Sequence, residues 1–83
     1  MITILFFAQV RERLGEAKLE LEYQDDWQHA EQIRAKLCER GAKWASTLSS
    51  DKLLVAVNQE LCSLDQTIKD GDEIAFFPPV TGG

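Results

Sequence analysis

The residues best suited to chemistry stand at the end of the chain. Gly82 and Gly83 follow Ile74-Ala75-Phe76-Phe77-Pro78-Pro79-Val80-Thr81, and no charged side chain occurs anywhere in that run. A chain end in water is ordinarily polar and frayed. This one is apolar, stiffened midway and stripped of side chains at the tip. Two residues without Cβ can thread a narrow channel and bring a terminal carbonyl against another molecule. The group so presented is the Gly83 carboxylate. A carboxylate is a poor acyl electrophile until one oxygen is exchanged for a better leaving group, such as a nucleotide phosphate. The chain has no phosphate-cradling G-x-x-x-x-G-K-[ST] or G-x-G-x-x-G loop that would carry out the exchange. Activation therefore falls to a partner enzyme.

The residues before the glycines suit delivery. Pro78 and Pro79 cannot donate to a sheet ladder, so a preceding strand stops there. Their fixed φ favours an extended exit, and Phe77 before them is pushed to extended geometry as well. Residues 78–83 then reach about 20 Å beyond the fold, at roughly 3.3–3.6 Å per residue. The expected organisation is a folded domain over residues 1–77 and an extended tail over 78–83, including Val80 and Thr81.

The rest of the chain sets limits on function. Its 83 residues, 45% of them hydrophobic and 28% charged, suit one small globular domain. A net charge of −5 argues against nucleic acid, which requires a basic footprint, and favours a basic protein surface as partner. No run is long and apolar enough for a membrane span, and no basic-then-apolar leader follows Met1, so the expected compartment is the cytoplasm. Cys38 and Cys62 lack metal or redox spacing and read as buried or half-buried thiols. His29, the only histidine, has no nucleophile constellation around it, and no metal site is expected.

The elements that must hold the tail follow from periodicity. Ile2 to Phe7 reads as a strand, with Ile2, Ile4 and Phe6 on one side and Thr3, Leu5 and Phe7 on the other. Ala8 to Leu14 suits a short helix stopped by Gly15. Lys18 to Tyr23 alternates polar and apolar, a half-exposed strand antiparallel to the first. Ala30, Ile33 and Leu37 recur at helical spacing in the main helix, with Asp25, Asp26 or His29 as its cap, Trp27 as a staple and Gly41 as its end. Trp44 and Leu48 suggest a further helical turn. Leu53 to Val57 is apolar throughout and reads as a central strand. Leu61 to Ser63 is a short fourth strand, and Asp70-Gly71-Asp72 a turn into a last strand, Glu73 to Phe77.

Two strands, an amphipathic helix and returning strands make an α+β domain with one sheet and one main helix on one face. The same period leaves Leu5, Phe7, Ala75 and Phe77 facing away from the helix, with Leu61 a possible addition. An exposed aromatic patch of that kind marks a protein interface. The alternative is that short loops or the small helix cover it.

Three stretches carry a family resemblance: Leu5-Phe6-Phe7-Ala8-Gln9-Val10-Arg11-Glu12, Val55-Ala56-Val57-Asn58, and Asp70-Gly71-Asp72 through to Gly82-Gly83. Together they resemble the small, sulfur-carrying subunits of molybdopterin synthase. The resemblance implies a ubiquitin-like β-grasp fold. It implies that an adenylating enzyme, using ATP and Mg²⁺, activates Gly83, next to Gly82, and that a sulfur donor converts the end to a thiocarboxylate. No cofactor is implied for this chain alone. The tail would then enter a large subunit, in an assembly of two small and two large subunits, and give sulfur to cyclic pyranopterin monophosphate to build the dithiolene. Phe7, Leu61 and Phe77 match hydrophobic partner contacts of the family, Arg11 a polar one, and the inserted tail comprises Pro78, Pro79, Val80, Thr81 and the glycines. Other possibilities are a β-grasp sulfur carrier for thiamine or tRNA thiolation, against which the Phe-Phe-Pro-Pro-Val-Thr run argues, and a ubiquitin-like modifier or binding module.

Overall fold

Alternation of burial along two strands organises the fold. Ile2, Ile4 and Phe6 are buried, as are Ile74 and Phe76, while Thr3, Leu5, Ala75 and Phe77 between them keep part of their surface. The computed structural model describes residues 1–79; the expectations for Val80, Thr81, Gly82 and Gly83 lie outside the described residues. In chain order the elements are β1 (Ile2–Phe6), α1 (Ala8–Leu14), β2 (Lys18–Leu21), α2 (Ala30–Cys38), α3 (Ala42–Leu48), β3 (Leu54–Val57), β4 (Glu60–Cys62) and β5 (Glu73–Phe77). The strands form one mixed sheet in the order β2-β1-β5-β3-β4, in which β1 and β5 are parallel and the other pairs antiparallel.

All three helices contribute to a single core on one face of this sheet. Val10 and Leu14 of α1, Ile33 and Leu37 of α2, and Trp44 and Leu48 of α3 join Ile2, Ile4, Phe6, Val55, Val57, Ile74 and Phe76 in one cluster. Phe6 is its hinge: its ring stacks on Phe76 at 6.3 Å and meets Trp44 edge-on at 5.7 Å, an arrangement worth more than area alone. Arg34 of α2 pairs with Glu31 and donates to the Leu48 carbonyl at 3.1 Å, tying α2 to the end of α3. The Arg34 side chain, donating to Glu31, holds the Glu31 carboxyl below the usual carboxylate range. Among the described residues no helix is long and apolar enough to cross a membrane.

Several local expectations change. His29 caps α2, neither Asp25 nor Asp26 does, and the Gln32 side chain accepts from the His29 N–H at 2.9 Å. Trp27 packs in the core but lies one residue too early for a staple against the helix's first turn; Tyr23 meets it edge-on. Gly41 does not end α2. The helix closes at Cys38 with Glu39 still right-handed, and Gly41, at φ 150°, instead begins α3. β3 is interior, but the middle of the sheet is β5, because the parallel pairing with β1 places it there.

β5 is anchored at its start by a polar knot around the buried Asp72. Asn58 and Gln59 form the β3–β4 turn with φ of 52° and 71°, the geometry that matches strand twist in a two-residue hairpin. Asn58 Nδ2 donates to Asp72 Oδ1 at 3.0 Å, and its Oδ1 accepts from the Glu73 N–H at 3.0 Å. The second Asp72 oxygen accepts from the Lys69 N–H at 2.8 Å. Asp72 is 5% exposed and its two bonds are part-buried, so removing its carboxylate leaves two donors without their partner. Asp72→Ala should lower unfolding free energy by about 1–3 kcal/mol. Urea denaturation measures it, and an unshifted midpoint would show that the knot adds nothing to stability.

Candidate functional site

The face of the sheet turned away from the helices carries the candidate site. Register aligns Lys18, Leu5, Ala75, Ala56 and Leu61 in one row across all five strands. Because side chains alternate along a strand, the members of such a row share a face. Phe77, opposite Leu54, shares the parity of Ala75 and so faces the same way. None of Leu5, Phe7, Ala75, Phe77 or Leu61 belongs to the helix-side core. Among the described residues, neither the loops nor a helix closes this face: Phe7 is 47% and Leu61 67% exposed.

Phe7 reaches this face by a backbone device. It lies one residue past β1, extended at φ −126° and ψ 153°, and its N–H donates to the Phe76 carbonyl at 3.2 Å. The next residue, Ala8, has φ 52°. A side-chain-bearing residue in the left-handed region is strained by roughly 1–2 kcal/mol, and here the bend turns the chain at once from strand to helix. α1 therefore starts without a linker, and Phe7 is held at the rim of the sheet beside the end of β5.

Phe7, Ala8, Ala56, Gln59, Ala75, Phe77, Pro78 and Pro79 line one shallow depression. Ala56 and Ala75 are small and lie opposite each other, and Phe7 and Phe77 follow at the end where β1 and β5 run out together. Pro78 is half-buried and Pro79 exposed, so the chain leaves β5 along the edge of this depression. No titratable side chain lines it. It can receive apolar groups of another molecule, and it can neither move a proton nor attack a carbonyl.

The structure brings Phe7, Phe77, Pro78 and Pro79 together at this depression. Leu61 lies on the same face, beyond Ala56, but lines a separate recess with Cys62, Gln66 and Thr67. Arg11 is exposed on α1, one turn after Phe7, whose carbonyl accepts its N–H at 3.3 Å. Ala8, Ala56 and Gln59 were not singled out from the sequence. Strand parity would have found Ala56, opposite Ala75; the positive φ of Ala8 and Gln59 has no such signal, since both residue types normally avoid it. Burial pushes the Cys62 thiol up, which keeps it protonated and weakly nucleophilic. No group of His, Cys, Asp and Glu suited to a metal ion occurs among the described residues.

A five-stranded mixed sheet in this order, with its helices on one face, is the ubiquitin-like β-grasp fold. The crystal structure of SAMP1 from Haloferax volcanii has the same architecture, with TM-score 0.81 at 25% identity, covering 99% of this chain and 98% of that one. The chain belongs to the ThiS family, which matches residues 4–83. It is 54% identical to the molybdopterin synthase sulfur carrier subunit of Haemophilus influenzae over 83 residues, 100% of both chains. It is also similar to a chain in the complex of subunits 1 and 2 of molybdopterin-converting factor from Helicobacter pylori, with TM-score 0.68 and 25% identity over 99% of this chain and 97% of that one.

The role given to Ala8 has a test whose sign is diagnostic. Glycine in a helix is normally about 1 kcal/mol worse than alanine, but where φ is positive the order reverses. Ala8→Gly should therefore leave the melting temperature unchanged or raise it, and Ala8→Val should cost about 1–3 kcal/mol. A stable valine variant would show that the bend is unstrained.

Proposed function

We propose that this protein is the sulfur carrier subunit of a molybdopterin synthase. The single observation that carries the proposal is full-length 54% identity to a protein of that name. The greater structural likeness to SAMP1 concerns the fold, which carriers and modifiers share, and so does not favour a modifier. In this reading residues 1–77 are the folded grip and residues 78–83 the working tail. An adenylating partner transfers AMP from ATP, with Mg²⁺, to the Gly83 carboxylate and releases pyrophosphate. A sulfur donor displaces the AMP and leaves a thiocarboxylate. The large subunit then receives the tail, sulfur passes to cyclic pyranopterin monophosphate, and the carboxylate returns for another round. Two rounds supply the two sulfurs of the dithiolene. We place this chemistry in the cytoplasm, in an assembly of two small and two large subunits.

The apolar face supports the division of labour. A depression with no acid, base or nucleophile suits docking and leaves proton transfer to the partner's residues. Phe7, Phe77 and Leu61 are the anchors of this docking, Arg11 a polar contact beside them, and Gly82 the residue that lets Gly83 pass through a narrow channel. Burying an aromatic anchor that is half exposed in the free chain stabilises a complex by about 1.5–3 kcal/mol.

Two outcomes test the proposal. Deleting Gly83 should abolish sulfur transfer in a reconstituted synthase while leaving the thermal transition of the domain in place, since residues 1–79 already account for the core. A deletion variant that still makes molybdopterin, or one that unfolds, contradicts it. Phe77→Ala should weaken binding to the large subunit by about 1–4 kcal/mol, as anchors in interface centres do. Unchanged affinity by calorimetry would remove the open face from the interface.

A further inference from the structure

The base of the tail has a second side. Pro78 and Pro79 border the apolar depression and also a separate cleft of about 240 Å³, between α1 and the α3–β3 connection, whose lining includes Arg13, Lys52, Thr47 and Ser50. Arg13 and Lys52 are exposed, and among the described residues neither has a carboxylate within 4.0 Å, although Glu12 and Asp51 adjoin them in sequence. The surroundings are cationic on a chain that is otherwise acidic. Of the side chains lining the cleft only Arg13 and Lys52 are charged, and both are basic, on a chain of net charge −5.

We propose that this cleft docks an acidic segment of the large subunit. The inference rests on the function proposed above: a partner that encloses a tail leaving through Pro78 and Pro79 must cover both sides of those prolines. On one side it meets alanines and phenylalanines and needs apolar groups. On the other it meets two cations that have no carboxylate within 4.0 Å among the described residues, and covering them with neutral surface would desolvate charge without return. A partner carboxylate removes that penalty, and Thr47 and Ser50 add hydroxyl donors beside it. The volume decides between occupants, because about 240 Å³ is below the range of small-molecule pockets and suits one or two protein side chains better than a nucleotide. The charge pattern also orients the carrier. Its acidic bulk is drawn to a basic surface, while its cationic tail end selects the one acidic spot beside the receiving channel.

The test is the affinity of the intact chain for the large subunit at low and high salt. R13E/K52E should bind roughly tenfold or more weakly at low salt, a loss of about 1.4 kcal/mol per tenfold. The difference should shrink towards about 1 M salt, where charges are screened beyond about 3 Å. R13Q/K52Q should show a smaller loss with the same salt trend, and both variants should melt with the wild type because neither side chain is in the core. Affinity and salt dependence equal to the wild type, or a tighter complex, would overturn the inference. Phe77→Ala in the same assay separates the two layers. If it weakens binding while the charge variants do not, only the acidic contact is wrong; if neither weakens binding, the proposed docking itself is wrong.

Discussion

The parallel pairing of β1 with β5 is the constraint on which the rest depends. It sets Ile4 beside Ile74 and Phe6 beside Phe76 on one face, and Leu5 beside Ala75 on the other. A slip of one residue would turn Phe6 or Phe76 to water and push Leu5 or Phe77 into the helices, so burial on the helix side fixes the pattern on the open side. The open face is thus a by-product of the core. Which residues it presents is set by the same register that packs the core beneath it. β5 is also the middle strand and leads straight into the prolines. The tail therefore starts from the part of the sheet held on both sides, with the Asn58–Asp72 knot fixing the other end of the same strand.

In the proposed reading this arrangement explains how a chain whose open-face depression has no titratable lining can serve a chemical step. Reactivity at a terminal carboxylate depends on what activates it and where it is held. Both tasks pass to partners if the carrier presents a rigid face and a thin end. On the proposed docking, the depression offers shape and apolar area, and the region around Arg13 and Lys52 offers charge. Apolar contact supplies affinity; charge supplies orientation and rate. A carrier that must leave one partner and meet another benefits from a modest, shallow site of this kind.

Much of this was legible because it follows from local period and turn chemistry. The α1 boundaries with Gly15 at φ 74°, the bounds of β5, the antiparallel β1–β2 pair and the two faces of β1 and β5 all follow from the residue pattern. What escaped depends on long-range or backbone facts. Pattern cannot tell that β1 and β5 meet in parallel, which moves β3 off the centre. Gly41 has the residue type of a helix terminator, yet α2 ends earlier and Gly41 opens the next helix instead. By alternation alone Phe7 continues β1, but β1 ends at Phe6 and the chain turns at the left-handed Ala8. Leu61 shares the face by register, while the recess it lines is a different one, which no alternation rule could separate.

The most direct test of the central claim is intact and peptide mass spectrometry of the chain after incubation with an adenylating partner, ATP, Mg²⁺ and a sulfur donor. The account predicts a sulfur-for-oxygen mass increase confined to the peptide ending at Gly83, and its loss when the large subunit and the pterin substrate are added. An unchanged terminus under these conditions, or Gly83 found instead in amide linkage to lysines of other proteins, would contradict it.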